Sequence, residues 1–225
     1  MQGVAAEYVL FDEEGLVRLP DYLSFEEAAC LPCAGVTAWN ALVSSGHLGR
    51  GDIVLTQGTG GVSIFALQIA RLMQAEVIAT SSSDDKLERV SSMGARAVIN
   101  YKATPEWDKA ALQATGGRGV DHIIEVGGAS TMPLSLKAVR MGGRISVIGV
   151  LGGRDAVPFV PILMRSLKIQ GIYVGSREMF QQLLTSFEQH QVRPVVDRVF
   201  GFGELPAALR YMQAGSHFGK IVLGV

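Results

Sequence analysis

From Asp52 onward, short apolar runs alternate with segments of helical periodicity, and no other feature of this chain limits its fold so strongly. The runs are DIVLTQ (52–57), EVIAT (76–80), RAVIN (96–100), DHIIEV (121–126), RISVIGV (144–150) and KIQGIYV (168–174). They are rich in Val and Ile and apolar on both faces, as strands are when helices cover both sides of a parallel sheet. Six such strands predict an α/β fold with one doubly wound parallel sheet. Between the first two, Val62, Phe65, Ala66, Ile69, Ala70 and Met73 recur at helical spacing and would lay one stripe on the sheet. Further helices are expected from Asp84 to a left-handed stop at Gly94, and over 105–114, 131–141, 176–190 and 204–214.

The two ends differ in character. AAEYVLF (5–11) reads as a strand, and SFEEAACL (24–31) opens with Ser24 and Glu27 at capping-box spacing, but no βα unit starts there. The last fifty residues offer a long helix, the strand-like VVDRVF (195–200), another helix and a final apolar strand, KIVLGV (220–225). Both ends are expected to belong to a second, smaller unit beside the sheet.

A chain of 225 residues that is 48% hydrophobic suits one large domain or one and a half small ones. The formal net charge of −1 gives no basic footprint for nucleic acid or an anionic membrane, so neither is expected as a partner. Two cysteines, Cys30 and Cys33, are too few for a disulfide scaffold, and the start MQGVAAEYVLF lacks the basic and apolar regions of a signal peptide. These features together predict a cytoplasmic protein. Charges and glycines interrupt every apolar run before it reaches the roughly 18 to 20 residues that cross a bilayer.

The first strand leads directly into QGTGGVS (57–63) and the apolar helix beyond it. Gly58, Gly60 and Gly61 put backbone N–H groups at a helix start, where the positive end of the helix dipole favours a phosphate. Strand, glycine turn and helix together make the dinucleotide-binding context that a glycine pattern alone would not. Ser63 stands where the third glycine of that pattern belongs. That glycine serves close helix-to-strand packing, so a small hydroxyl should be tolerated there, returning to a helix carbonyl or donating toward a pyrophosphate.

An NAD site should end its second strand in a carboxylate that receives the adenosine ribose. Here the strand ends in Ser81, Ser82 and Ser83, with Lys86 one helical turn on and Tyr101 and Lys102 at the end of the neighbouring strand. Serines can donate to a 2′-phosphate and do not repel it, which favours NADP over NAD. The serines can equally cap the helix at Asp84, and Lys86 can equally be a solvated helix charge.

GTGGVSIFALQIAR (58–71), preceded by LPCAGVTAWNAL (31–42) and followed by GARAVINYK, GRISVIG, GIYVGSREMF and GKIVL, resembles the medium-chain dehydrogenase/reductase superfamily, closest to its zinc-type alcohol dehydrogenase and quinone-reductase-like branches. The resemblance covers essentially the whole chain. It implies a dinucleotide-binding Rossmann domain over 35–175, a remnant of a smaller GroES-like catalytic β domain over 1–34, and a C-terminal helix with a return to that domain over 176–225. It implies that Gly58, Gly60, Gly61 and Val62 form the pyrophosphate turn, with Val62 and Thr37 on either side of the nicotinamide. Val126, Ile148, Gly149 and Val150 would approach the nicotinamide ribose, Ile172 to Val174 the carboxamide, and Lys220 the cofactor phosphates. Val126 and Ile148 read equally well as sheet core.

In zinc-dependent members that resemble this sequence, the cysteine of CAG is a ligand of the catalytic zinc, which implicates Cys33; the plainer reading is a small buried residue. The family's first zinc cysteine and histidine lie upstream of the segment resembling AAEYVLF, so most of the catalytic domain is expected to be lacking here. The four histidines, His47, His122, His190 and His217, show no ligand spacing. The resemblance therefore implies hydride transfer between NADP(H) and a small alcohol or carbonyl substrate, with activity of this chain by itself in doubt and its catalytic residues unassigned. A zinc-independent quinone or enone reductase, or a nucleotide-binding module without turnover, are the alternatives. The resemblance also implies a homodimer formed through the sheet edge at FVPILMRSLKIQGIYV (159–174).

Overall fold

The computed structural model describes residues 4–150, 152–153 and 156–225. Its main sheet comprises β1 (Ile53–Gln57), β2 (Glu76–Ser81), β3 (Ala97–Asn100), β4 (Val120–Glu125), β5 (Val139–Val147) and β6 (Lys168–Gly171), all parallel in the order β3-β2-β1-β4-β5-β6. The chain starts in the middle, runs to one edge, and returns to the other side of β1. That reversal opens a crevice beyond the carboxyl ends of β1 and β4.

Among the helices are α1 (Phe25–Ala29), α2 (Val36–Trp39), α3 (Gly61–Leu72), α4 (Asp84–Ser92), α5 (Trp107–Ala114), α6 (Met132–Ala138), α7 (Val160–Met164), α8 (Arg177–Gln189) and α9 (Leu205–Gln213). The α3 stripe is as the periodicity predicts: Phe65, Ala66, Ile69 and Ala70 are buried, and Val62 and Met73 are partly so. Phe65 meets Phe187 of α8 at a ring-centroid distance of 6.3 Å, so α3 and α8 share one core with the helical stretch 31–44. A second core, built on Leu55, Ile123 and Ile145, lies under α5 and α6 on the opposite face. Ser24 and Glu27 form the expected capping box at α1, and Gly94, at φ +94°, ends α4.

Several boundaries differ from the sequence expectation. AAEYVLF forms no strand: Tyr8 and Leu10 are 91% and 98% exposed, with no neighbouring strand to pair with among the described residues. The helix expected over 131–141 stops at Ala138, because β5 begins at Val139 and pairs with Val120 before a bulge shifts the register to His122↔Arg144. Gly142, at φ +69°, accompanies that irregularity. β5 ends at Val147 and β6 at Gly171, so Ile148–Val150 and Ile172–Val174 are loop, with Val174 at φ +52°. β6 is an open edge and mostly exposed, unlike the strands covered on both faces.

VVDRVF and KIVLGV form β7 (Val196–Gly201) and β8 (Lys220–Gly224), which pair with each other in parallel. The amino ends of the central strands are fastened by Asp121, which accepts from Ile53 N (2.8 Å), Arg118 (2.8 and 2.7 Å) and Arg140. Burial alone would raise the Asp121 pKa, but those donors hold it down at about 2. Among the described residues no helix is long and apolar enough to cross a membrane.

Candidate functional site

β1 delivers the chain into the glycine turn, and the three glycines are there for different reasons. Gly58 has φ +70°, which a side chain would strain. Gly61 is crowded: an added Cβ would lie 2.6 Å from Lys220 Cδ and 3.1 Å from Ala34 Cβ. Gly60 is neither. Its φ of −77° and ψ of 177° suit any residue, and an added Cβ would meet no protein atom within 4 Å. It is the N-cap of the twelve-residue helix α3, which has no side-chain cap for its first N–H groups.

Ser63 is buried, and its hydroxyl donates to the carbonyl of Gln57 at 2.7 Å. The hydroxyl goes neither to a helix carbonyl nor toward the cleft, the two directions the sequence suggests. It ties the first turn of α3 to the last residue of β1, which is the packing task of the glycine it replaces.

The crevice holds a cavity of about 410 Å³ lined by residues at the ends of the strands: Gln57 at the end of β1 and Gly58 after it, Thr80 on β2, Tyr101 after β3, Val126 and Gly127 after β4. Trp107 and Thr131 form another wall. Larger cavities lie elsewhere, such as one of about 510 Å³ between Val17–Asp21 and α8, but none of those opens on the glycine turn. The one at the strand ends is where a doubly wound sheet holds its ligand.

Of the residues singled out in the sequence, Gly58, Tyr101 and Val126 come together on this cavity, with Gly60 and Val62 at the start of α3 beside it. Ser81 is buried and accepts from Ser83 N (3.4 Å); Ser83 caps α4 by accepting from Lys86 N (3.4 Å); Ser82 is half-buried between them. Lys86 is no free helix charge. Its ammonium donates to the carbonyls of Gly215 (2.6 Å) and His217 (2.9 Å), and desolvation there lowers its pKa. The segment it grips continues to Gly219, whose N–H donates to Thr59 O at 2.9 Å, and to Lys220, whose stem covers Gly61. A clasp from the end of the chain therefore closes one rim of the turn.

At the other end, Thr37 is buried on α2 and donates to Cys33 O at 2.6 Å, while Asn40 Nδ2 donates to Val174 O at 2.8 Å. Ile172 is buried and donates through its N–H to Val147 O (2.9 Å), and Val150 is exposed. Ile148 and Gly149 both donate from their backbone N–H groups to Glu125 O, at 2.8 and 3.1 Å. An added Cβ on Gly149 would lie 1.7 Å from Val126 O, so only glycine permits this approach of two strand ends.

Gln57, Glu125, Thr131 and Ser135, none of them marked by a sequence motif, form a polar network at the cavity. Glu125 is fully buried; its oxygens accept from Gln57 Nε2 (2.8 Å), Gly127 N (2.9 Å), Gly128 N (3.0 Å), Thr131 Oγ1 and Ser135 Oγ. The available signal was a glutamate closing one apolar strand and a glutamine closing another.

Cys33 is exposed and Cys30 buried, the latter with its thiol pushed up to about 11 by burial. Among the described residues no three His, Cys, Asp or Glu side chains gather as a metal site would require. Cys33 therefore belongs to no such group, and the described residues by themselves do not supply a tetrahedral zinc site.

Residues 61–189 match the family model described as zinc-binding dehydrogenase. A zinc-type alcohol dehydrogenase-like protein of Schizosaccharomyces pombe is 44% identical over 230 residues, covering 99% of this chain and 66% of that protein. A solved NAD-dependent alcohol dehydrogenase superposes with a TM-score of 0.93 at 37% identity, over 99% of this chain and 65% of the other. The quinone oxidoreductase of Thermus thermophilus, solved also in complex with NADPH, gives 0.85 at 32% identity, over 100% of this chain and 74% of the other. The chain thus spans about two thirds of the length of the first two of these relatives. With its six-stranded doubly wound sheet and glycine turn, it belongs to the zinc-binding dehydrogenase family, within the medium-chain dehydrogenase/reductase superfamily.

Proposed function

We propose that this chain is the NADP(H)-binding part of an oxidoreductase that moves a hydride between nicotinamide and the carbon of a small alcohol or carbonyl substrate. The observation that carries the reading is Gly60: no protein atom lies within 4 Å of where a Cβ would stand, which leaves room for a pyrophosphate to approach the turn closely. The start of α3 would face the pyrophosphate. Val126, Ile148, Gly149 and Val150 would lie toward the nicotinamide ribose, Ile172 and Val174 toward the carboxamide, and Thr37 and Val62 toward the ring. When bound, the nicotinamide supplies the hydride acceptor or donor, and these residues hold it in place and keep water from one of its faces.

NADP is preferred over NAD in this reading, because β2 ends in Ser81 and no carboxylate stands at that position. Tyr101 and the serines would meet the 2′-phosphate; two of the three Lys86 ammonium N–H groups are already given to the clasp. Titration of the folded chain with NADPH and with NADH, followed by nucleotide fluorescence, is expected to saturate with both and at least tenfold more tightly with NADPH, about 1.4 kcal/mol. Failure of both to bind would overturn the reading, and equal affinities would overturn the preference alone.

The likeness to the quinone oxidoreductase of Thermus thermophilus supports, as a second reading of the substrate, a quinone or enone. A module that binds nucleotide without turnover would show the same titration and no oxidation of NADPH by any such acceptor. We also propose pairing of two copies through the open edge of β6, where Phe159 at the N-cap of α7 and Val160, Leu163 and Met164 on it are exposed. Sedimentation should give twice the mass of the chain, and a single-chain mass at tens of micromolar would refute the pairing. The partners proposed are thus the nucleotide, a small-molecule substrate and a second copy, and the compartment proposed is the cytoplasm.

A further inference from the structure

Every backbone segment proposed for the nicotinamide ribose is hydrogen-bonded to one of two buried side-chain-bearing residues at the strand ends. Val126 N donates to Gln57 Oε1 at 3.1 Å, and Gly127 N is shared between Gln57 Oε1 (3.2 Å) and Glu125 Oε1 (2.9 Å). Gly128 N donates to Glu125 Oε1, while Ile148 N and Gly149 N donate to the Glu125 carbonyl. The Glu125 side chain reaches β1 through Gln57 and α6 through Ser135, while its main chain reaches the loop after β5.

The chemistry of each member is fixed. The Glu125 carboxylate meets donors on both oxygens and no acceptor. Gln57 Nε2 donates to Glu125 and to Ser135 Oγ (2.9 Å), and a flipped amide would turn its NH₂ onto two backbone N–H groups. A buried carboxylate is a poor device for stability, since well-packed apolar residues serve as well or better. It is a good device for holding one backbone arrangement, because every other arrangement leaves its oxygens without donors.

We infer that Glu125 is a positioning residue of the cofactor cleft: its buried carboxylate, with Gln57, sets the Val126–Gly128 backbone, whose neighbour Glu125 O holds Ile148–Gly149, and the nicotinamide ribose rests against both. This rests on the dinucleotide reading above. Glu125→Gln keeps the volume but turns an NH₂ toward a set of donors, so it should weaken NADPH and NADH at least tenfold and by equal factors, the 2′-phosphate being gripped elsewhere. At saturating NADPH its bound-state emission maximum should move toward that of free NADPH, a change that simple loss of stability does not produce.

Thr131→Val and Ser135→Ala, which each delete one donor, should give smaller losses in the same direction, and they serve if Glu125→Gln fails to fold. Folded variants that match wild-type affinity and emission would overturn the inference while leaving the dinucleotide reading intact. Loss of affinity for NADPH but not NADH would also overturn it. A wild-type chain that binds neither nucleotide overturns both.

Discussion

Gly60→Asp should make the chain slightly more stable and nearly unable to bind a dinucleotide. The position has the extended backbone of an N-cap, its side is open, and α3 has no capping side chain. An aspartate there would accept from the first free N–H groups of α3 and sit at the positive end of its dipole. Together these contribute about 0.5–1 kcal/mol, or roughly 1–4 °C in melting temperature for a domain of this size. The same carboxylate would stand where a pyrophosphate must come, and we expect at least a hundredfold loss of NADPH affinity, about 2.7 kcal/mol. Calorimetry and fluorescence titration of the one variant read both effects. Binding within threefold of wild type would show that the turn does not face the phosphates.

The second large effect concerns acid. His122 is buried on β4 with Nε2 2.8 Å from Ser146 Oγ on β5, and Ser146 in turn lies against Ala41 O. Burial first, and Arg144 second, push its pKa down to about 3, with Asp121 opposing. The unfolded chain takes a proton at this side chain below about pH 6.5, whereas the folded chain refuses it until about pH 3. Stability is therefore present in full above pH 6.5 and falls as pH drops through that window. By pH 4.5 the loss from this group is about 3 kcal/mol. Asp121, held at about 2, adds its own loss only below its unfolded value of 3.8. His217 is shifted in the same direction as His122, so the comparison that isolates the effect is wild type against His122→Leu. Urea denaturation at pH 7 and 4.5 should show the variant losing at least about 2 kcal/mol less than wild type. Equal losses would assign the acid sensitivity to other groups.

What the sequence disclosed about the fold was whatever local periodicity governs. The α3 stripe, the strand cores, the Ser24–Glu27 box and the Gly94 stop each depend on neighbours within a few positions, and each is present. Boundaries went astray where a distant strand decides. β5 starts five residues ahead of the expected Arg144, because Val139 finds Val120 across the sheet, and nothing within 131–141 announces that pairing. AAEYVLF has strand composition but no partner among the described residues, and composition alone cannot make a ladder.

The site divides in the same way. A glycine turn between a strand and a helix is a local pattern, so Gly58, Gly60 and Gly61 were legible, although their separate reasons were not. Glu125 was not legible because its meaning lies in register: Thr56 opposite Ile124 brings Gln57 beside Glu125, and only the paired sheet states that. The direction of the Ser63 hydroxyl, back to Gln57 O, and the engagement of Lys86 by the far end of the chain are likewise facts of three-dimensional placement.

Lys86 and the carbonyls it grips are 129 and 131 positions apart, so the rim of the glycine turn is closed by residues that leave the ribosome long after the turn itself. At about 5–20 residues per second that interval is on the order of ten seconds. Closing so long a loop costs little more entropy than closing a short one, because the cost grows only with the logarithm of length. The delay is thus set by the pace of synthesis. A nascent chain carries β1, the turn and α3 early and gains their clasp late, once residues 215–220 have emerged.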